Sequence, residues 1–288
     1  MNDVAQIFEV GPRDGLQNES IILPVSQKVA LIEKLVAAGT TNVEIGSFVH
    51  PKWVPQMADT EAVARAIKRV DGVKYWGLVP NVRGLERAIE AGMKHVAVFM
   101  SSSETHNQKN VNCTIEESFV RIRETTNIAL NAGVQVRAYI STVFGCPFEG
   151  EVDFDRVLSI GDTLLAMGAC QISLGDTTGM GQPLQVGDGA KRALDRWGVD
   201  QVALHLHDTR GLGQTNAFAG YLEGVRNFDS SVGGLGGCPY APGAPGNLST
   251  ENLLGLLDSM NVQTGVEMGK IRETSSWLES SIGFSLKH

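Results

Sequence analysis

A helical stretch that ends at glycine and gives way within a few residues to a short β-branched run recurs along this chain, and this alternation restricts the fold more than any other feature. It is visible at Ala38-Gly39 before residues 41–45 (TNVEI), Ala91-Gly92 before 95–99 (HVAVF) and Ala132-Gly133 before 134–139 (VQVRAY). Met167-Gly168 precedes 170–174 (CQISL), and Trp197-Gly198 precedes 201–205 (QVALH). Glycine just past a helix supplies the left-handed cap, and each run that follows has the length of a strand. Adding residues 6–10, 73–79 and 227–231 brings the strand candidates to eight, each followed by a segment of helical composition such as 25–38 or 115–131. Eight alternating units predict an α/β chain closed into a (β/α)8, or TIM, barrel. The remaining stretch, about 263–288, reads as one or two additional C-terminal helices against the barrel. With no composition break to mark a linker, residues 1–288 read as one domain. An open doubly wound sheet would want a Gly-rich phosphate turn after its first strand, and the chain has Gly11-Pro12-Arg13-Asp14-Gly15 there instead.

At 288 residues, 42% hydrophobic and 19% charged, the chain has enough apolar side chain for so large a core. Its net charge of −8 and pI near 5.3 argue against nucleic acid as a partner, since that affinity rests on Lys and Arg neutralising phosphates. An anionic substrate needs a local basic site. Cys113, Cys146, Cys170 and Cys238 are widely spaced with no C-x-x-C pair, so neither a zinc ribbon nor a disulfide framework is indicated. The first residues lack a basic n-region and an apolar h-region, and no apolar run approaches the roughly 18 residues of a membrane span. A cytoplasmic protein without a membrane partner is expected, and barrels of this size commonly form homodimers. Gly179-Met180-Gly181 and Gly211-Leu212-Gly213 lack the third glycine of a dinucleotide fingerprint, so no nucleotide redox cofactor is expected.

Catalytic residues of such barrels come from the C-terminal ends of the strands and the loops beyond them. On that criterion Arg13 and Asp14 follow strand one, Glu44 closes strand two, Ser101 to Ser103 follow strand four and Asp176 follows strand six. His205 and His207 close strand seven, and Cys238 and Asn247 lie in the long loop after strand eight. Residues two apart on a strand share a face, so His205 and His207 can offer two imidazoles to one ion. Taken alone, such a pair is equally well two hydrogen-bonded histidines. Asp14 from another strand end adds a harder donor, and mixed N/O ligation suits Mg, Mn or Zn better than a soft metal. Arg13 and Asp14 could be a plain ion pair or a helix cap. Beside a metal ligand, however, an arginine can stabilise an oxyanion, with Glu44 orienting it. The segment 233–247 is too rich in Gly and Pro for helix or strand, and its place beyond strand eight favours a functional lid over a connector. Cys113, Cys146 and Cys170 have no such setting and read as packing residues.

At these motifs the sequence resembles the 3-hydroxy-3-methylglutaryl-CoA lyases over almost its whole length. The similar blocks are residues 10–19 (VGPRDGLQNE), 47–49 with 51–59 (SFV, PKWVPQMAD), 173–177 (SLGDT) and 205–209 (HLHDT). Most specific is the stretch Gly236-Gly237-Cys238-Pro239-Tyr240-Ala241 through Gly246-Asn247 and Glu251, because synthases that join an acyl-CoA to a 2-oxo acid share the other motifs and lack this one. The resemblance implies cleavage of 3-hydroxy-3-methylglutaryl-CoA to acetyl-CoA and acetoacetate, a reaction of leucine catabolism. It further implies Asp14, His205, His207 and Asn247 as ligands of Mg or Mn, and Arg13 with Gln17 as substrate-binding residues. Cys238 would be the acid/base and Asp176 would assist at the hydroxyl.

A metal-polarised C3 hydroxyl that loses its proton can release the C2–C3 bond into the thioester, which Arg13 then stabilises as an enolate while an acid, with Cys238 the candidate, protonates C2. Three departures bear on the acyl group: His50 stands where a small residue is expected, Gln171 where an acid is usual, and Arg210 where Tyr is usual. An altered wall near the distal carboxylate leaves citramalyl-CoA or a longer 3-substituted glutaryl-CoA open. A Claisen-type synthase or aldolase on the same barrel, and a non-catalytic binding protein, are the rival classes.

Overall fold

A computed structural model describes residues 3–238, 241–283, 285 and 286, with the backbone alone at 237, 238 and 241–245. Eight strands, β1 (Gln6–Glu9), β2 (Asn42–Ser47), β3 (Lys74–Leu78), β4 (His95–Ser101), β5 (Gln135–Ser141), β6 (Ile172–Asp176), β7 (Val202–Leu206) and β8 (Asn227–Ser230), pair in sequence order. The pairing is parallel throughout, and β8 closes on β1 with Gln6 opposite Asn227 and Glu9 opposite Ser230. The expected barrel is therefore the observed one. Around it lie α1 (Val25–Ala37), α2 (Thr60–Ala66), α3 (Val82–Glu90), α4 (Glu104–Val111), α5 (Ile115–Asn131), α6 (Phe154–Ala166), α7 (Pro183–Trp197), α8 (Gly213–Leu222) and α9 (Thr250–Ser259). The extra C-terminal segment contains one helix among the described residues, α10 (Met268–Ile282), which packs on α1 and α9.

Local chemistry explains the boundaries. Gly39 at φ 102° and Gly168 at φ 103° end their helices in the left-handed region, which costs a side-chain-bearing residue dearly. Thr114 opens α5 with a reciprocal capping box to Glu117. Five strands, β2, β4, β5, β6 and β7, run further at their C-terminal ends than their β-branched runs suggest. The ladder carries β2 through Gly46 to Ser47, opposite Leu78, so Glu44 lies inside the strand and does not close it. Likewise Asp176 is the last residue of β6, and His207 lies one residue past β7. Pairing with a neighbouring strand, not side-chain propensity, sets these ends.

Side chains alternate between two cores. The outward strand residues, such as Ile7, Val43, Val136 and Leu204, join helix residues such as Leu31, Leu85 and Leu164 in one large apolar layer. Inward residues form small apolar groups, Phe8 with Val10 and Trp76, and Leu78 with Ala97 and Tyr139. Between these groups the barrel interior is polar, and this is unusual for a fold whose interior is commonly filled by branched apolar side chains.

Glu9, fully buried on the helix side of β1, ties the barrel mouth together. One carboxylate oxygen accepts from the backbone N–H of Gly11 (2.8 Å) and of Val232 (3.0 Å), and the other accepts from the Thr250 hydroxyl (2.7 Å). Burial pushes this carboxyl up from 4.5 to about 7. In that window the folded protein keeps a proton that the unfolded chain releases, so the Glu9 contribution to stability is present below about 4.5 and is lost as the pH rises through about 7. The change in Tm between about pH 5 and pH 7.5 should be smaller for Glu9→Gln than for the parent protein. Equal slopes in the two melting series would show that this carboxyl does not carry the dependence.

Candidate active site

The first element of the site is a single π-helical turn, Gly11–Gly15, in which the N–H groups of Arg13, Asp14 and Gly15 converge on the Val10 carbonyl at 3.0, 2.7 and 3.3 Å. Such a turn re-aims two successive side chains, and here both Arg13 and Asp14 enter the barrel mouth. Gly236 presses on it from outside. Its φ of 110° and its approach to the Gly15 Cα and the Asp14 carbonyl leave no room for a Cβ, which would also come within 2.8 Å of Asn247 Nδ2.

Asp14, His205 and His207 converge, each buried, with one donor atom apiece lying within 4.8 Å of the others. Asp14 Oδ2 is 3.8 Å from His205 Nε2 and accepts from Asn247 Nδ2 at 2.9 Å. An isolated bridge to His207 holds Asn247 beside the strand-seven histidines. Burial opposes the Asp14 anion, but Arg13 beside it and the two histidines hold its carboxyl well below the usual carboxylate range. Burial, reinforced by His205, depresses His207 to about 4, so its ring is neutral at physiological pH. His207 Nδ1 is buried with no hydrogen-bond partner among the described residues. Two imidazoles, one a neutral ring with a buried nitrogen left without a partner, and an ionised carboxylate fit a divalent cation.

Arg13 donates from Nε to Glu44 Oε2 at 2.6 Å, pairs with Asp14, and lies 5.4 Å from the centre of the Tyr139 ring. Its burial works against the cation, and Glu44 and Asp14 outweigh that, so it stays charged. Gln17 Nε2 donates to Asp14 Oδ1 at 2.8 Å. Arg13, Asp14, Gln17, His205 and His207 all line one cavity of about 700 Å³ that runs out past Trp53, Asn110 and Arg121. A cavity of that size suits a substantial ligand.

Other expectations fare differently. Asp176 is buried but turns into the following loop, where Oδ1 accepts from the N–H of Met180 (2.9 Å) and Gly181 (3.0 Å). Burial pushes its carboxyl up to about 6. Its neighbours Gly175 and Thr177 line the cavity, whereas Asp176 itself does not. Ser101 to Ser103 are buried and hydrogen-bond locally, Ser101 to the Thr142 hydroxyl at 2.7 Å and Ser103 as the cap of α4. The Gly- and Pro-rich segment is not a structureless loop: β9 (Gly237–Cys238) pairs antiparallel with β10 (Ala241–Pro245). Proline is tolerated in so short a ladder because its missing N–H can face away from the partner. The Cys238 side chain lies outside the described residues. Cys113 and Cys146 are buried, but Cys170 is exposed and does not pack in the core. Gln171 is not part of the substrate wall. It lies at the opposite, N-terminal mouth of the barrel with Gln6, Lys74 and Asp200, because strand N-termini all face that end.

Sequence reasoning missed Tyr139, Arg137 and Asp229. The Tyr139 hydroxyl donates to Glu44 Oε2 at 3.2 Å. Arg137 grips Asp229 through Nη2 (2.5 Å) and Nη1 (3.2 Å), and Asp229 Oδ2 is 3.2 Å from His205 Nδ1. A charge inside a predicted barrel strand was the available signal, since a strand covered on both faces has no solvent in which to place it.

The HMGL-like family pattern matches residues 4–278. The chain belongs to the HMGL-like family. A hydroxymethylglutaryl-CoA lyase of Bacillus subtilis is 45% identical to it over 277 residues, 96% of this chain and 93% of the relative. A 3-hydroxy-3-isohexenylglutaryl-CoA/hydroxymethylglutaryl-CoA lyase of Pseudomonas aeruginosa is 44% identical over 97% of this chain and 93% of its own length. The solved structure of an Acinetobacter baumannii HMG-CoA lyase in complex with coenzyme A and 3-methylmalate superposes with a TM-score of 0.95 at 39% identity, covering 99% of this chain and 93% of that one.

For this HMGL-like protein the converging donors lead to a direct expectation. Titrated with Mn(II) and followed by electron paramagnetic resonance, His207→Ala should bind at least about ten-fold more weakly than the parent. Unchanged affinity would remove His207 from the donor set.

Proposed function

We propose that this protein is a divalent-metal-dependent carbon–carbon lyase that splits 3-hydroxy-3-methylglutaryl-CoA into acetyl-CoA and acetoacetate. The observation that carries this reading is that Arg13 and the donors Asp14, His205 and His207 line the same cavity. The names of the relatives, and the coenzyme A in the Acinetobacter baumannii structure, support an acyl-CoA as the substrate. Mixed N/O donors favour Mg or Mn, and the place of Asn247 beside His207 supports it as a fourth ligand. The reading takes residues 1–288 as one lyase domain with 263–288 as an added helical segment. It further takes the protein as a cytoplasmic homodimer, without nucleic-acid or membrane partners, that serves leucine catabolism. Among the described residues no helix is long and apolar enough to cross a membrane.

When bound, the ion supplies Lewis acidity toward an alcohol oxygen. The C3 hydroxyl gives its proton to a base. For Asp176 the support is a carboxyl near 6 with Oδ2 unpartnered among the described residues and its place between the cavity-lining Gly175 and Thr177; its side chain, turned into the loop, has to rotate toward the cavity to take that proton. The C2–C3 bond then breaks, C3 becomes the ketone carbon of acetoacetate, and the electron pair moves into the thioester as an enolate. Arg13, charged and held by Glu44, faces that oxygen, with Gln17 completing the wall of the cavity. A proton passes from the Cys238 thiol to C2 and releases acetyl-CoA, since an ordinary thiol is protonated at neutral pH.

The Pseudomonas aeruginosa relative, whose name includes an isohexenyl substrate, favours a second reading in which a longer 3-substituted glutaryl-CoA is also cleaved. An acyl-CoA panel assayed with Mg or Mn, with both products identified by mass, separates the two. Free acetyl-CoA released without consumption of a 2-oxo acid sets aside the synthase class. Because the enolate charge exists only as the bond breaks, Arg13→Lys should lower kcat about 10²-fold, and a change confined to KM would contradict this role. Cys238→Ala should lower kcat by roughly 10² to 10⁴ with metal content preserved. Near-normal kcat would return this cysteine to packing, and lost metal would make its role structural.

A further inference from the structure

The barrel interior below the cavity holds an ordered run of contacts that the reaction scheme does not use. Asp229 on β8 stands opposite His205 on β7 in the strand register, and its Oδ2 lies 3.2 Å from His205 Nδ1. The other ring nitrogen, Nε2, is the one turned toward Asp14, at 3.8 Å. The carboxylate itself has little freedom. Arg137 holds both of its oxygens, at 2.5 and 3.2 Å, and the Ser173 hydroxyl donates to Oδ2 at 2.8 Å. Arg137 is in turn fixed by Nε to Gln171 Oε1 (2.8 Å) and by the ring faces of Phe8 (3.9 Å) and Tyr139 (4.8 Å).

A carboxylate is acceptor-only, and so is the unprotonated nitrogen of a neutral imidazole. A 3.2 Å contact between Asp229 Oδ2 and Nδ1 is favourable only when Nδ1 carries the proton, and in a neutral ring, the form that can ligate an ion, that leaves the lone pair on Nε2. We propose that Asp229, immobilised by Arg137 and Ser173, is a positioning residue that fixes the tautomer and ring plane of His205 so that Nε2 is presented to the ion. The inference rests on the proposed reading of Asp14, His205 and His207 as ligands. A buried Arg–Asp pair that only stabilised the barrel would leave the histidine tautomer and the metal affinity unmoved.

The test uses the full-length protein with ¹⁵N-labelled histidine, freed of metal by chelation, and then titrated with Mn(II). The ¹⁵N shifts of the parent should show His205 protonated on Nδ1. Asp229→Asn should mix or invert the tautomers and weaken Mn(II) binding about 10- to 100-fold. Because that change strands the Arg137 charge, the double variant Arg137→Gln/Asp229→Asn, which removes both charges together, is measured beside it and should show the same weakening. The inference is overturned if the parent His205 is protonated on Nε2, or if a folded variant keeps both the tautomer and the affinity of the parent. If neither variant folds, the parent tautomer alone decides. A parent that takes up no divalent ion would instead sink the metal-site reading, whereas a parent that binds it with variants that bind equally well would sink only this one.

Discussion

Two guanidinium groups, Arg13 and Arg137, and three carboxylates, Asp14, Glu44 and Asp229, are buried inside this barrel. Taking ions out of water costs several kcal/mol each, and only close pairing with satisfied hydrogen bonds offsets it. The pairing here is interleaved: Glu44 to Arg13 to Asp14 across the mouth, and Gln171 to Arg137 to Asp229 beneath. With all three carboxylates ionised, one negative charge is left over, and Asp14, the carboxylate that faces two imidazoles, is the place where a bound cation would cancel it. The same low-dielectric surroundings make each interaction stronger than it would be in water. The groups that meet at the candidate site are therefore also the groups whose mutual satisfaction makes the polar interior tolerable.

Such an arrangement needs a frame that does not yield. Asp14 reaches the histidines only because the π turn at 11–15 points inward, and that turn is held on two sides. Glu9 binds the Gly11 N–H and at the same time the Val232 N–H, so the turn after β1 and the segment after β8 share one carboxylate. Gly236 then lets the latter segment lie directly against the turn and bring Asn247 to Asp14. The sites at the ends of the first and last strands, far apart in the chain, are joined by the closure of the barrel.

The eight strands and the meeting of Asp14 with His205 and His207 were legible because each left a local mark: a glycine after a helix, a β-branched run, or two histidines two residues apart. Strand ends were less legible, since Gly46 and Ser47 have little strand propensity of their own and are held by β3. Arg137, Tyr139 and Asp229 were passed over because their roles depend on which strands meet across the barrel, and only closure sets that. Gln171 was misplaced for a related reason. A departure from a familiar pattern carries no indication of which barrel mouth it faces, and Gln171 precedes β6, so it opens on the side away from the cavity.

That correction leaves His50 and Arg210 as the departures on the side of the chemistry, and both are exposed. The His50 ring lies 6.0 Å from the ring of Trp53, which lines the outer cavity. Arg210 contributes a charge that favours the Asp176 anion. Neither touches the interleaved ions below, so a change at either position leaves the pairing of the buried charges intact. Substitution inside the barrel has no such freedom, because removing one partner strands another. The rim is therefore where a barrel of this kind can vary the acyl group it admits while the bond-breaking groups stay as they are, and the two rim departures fit that division.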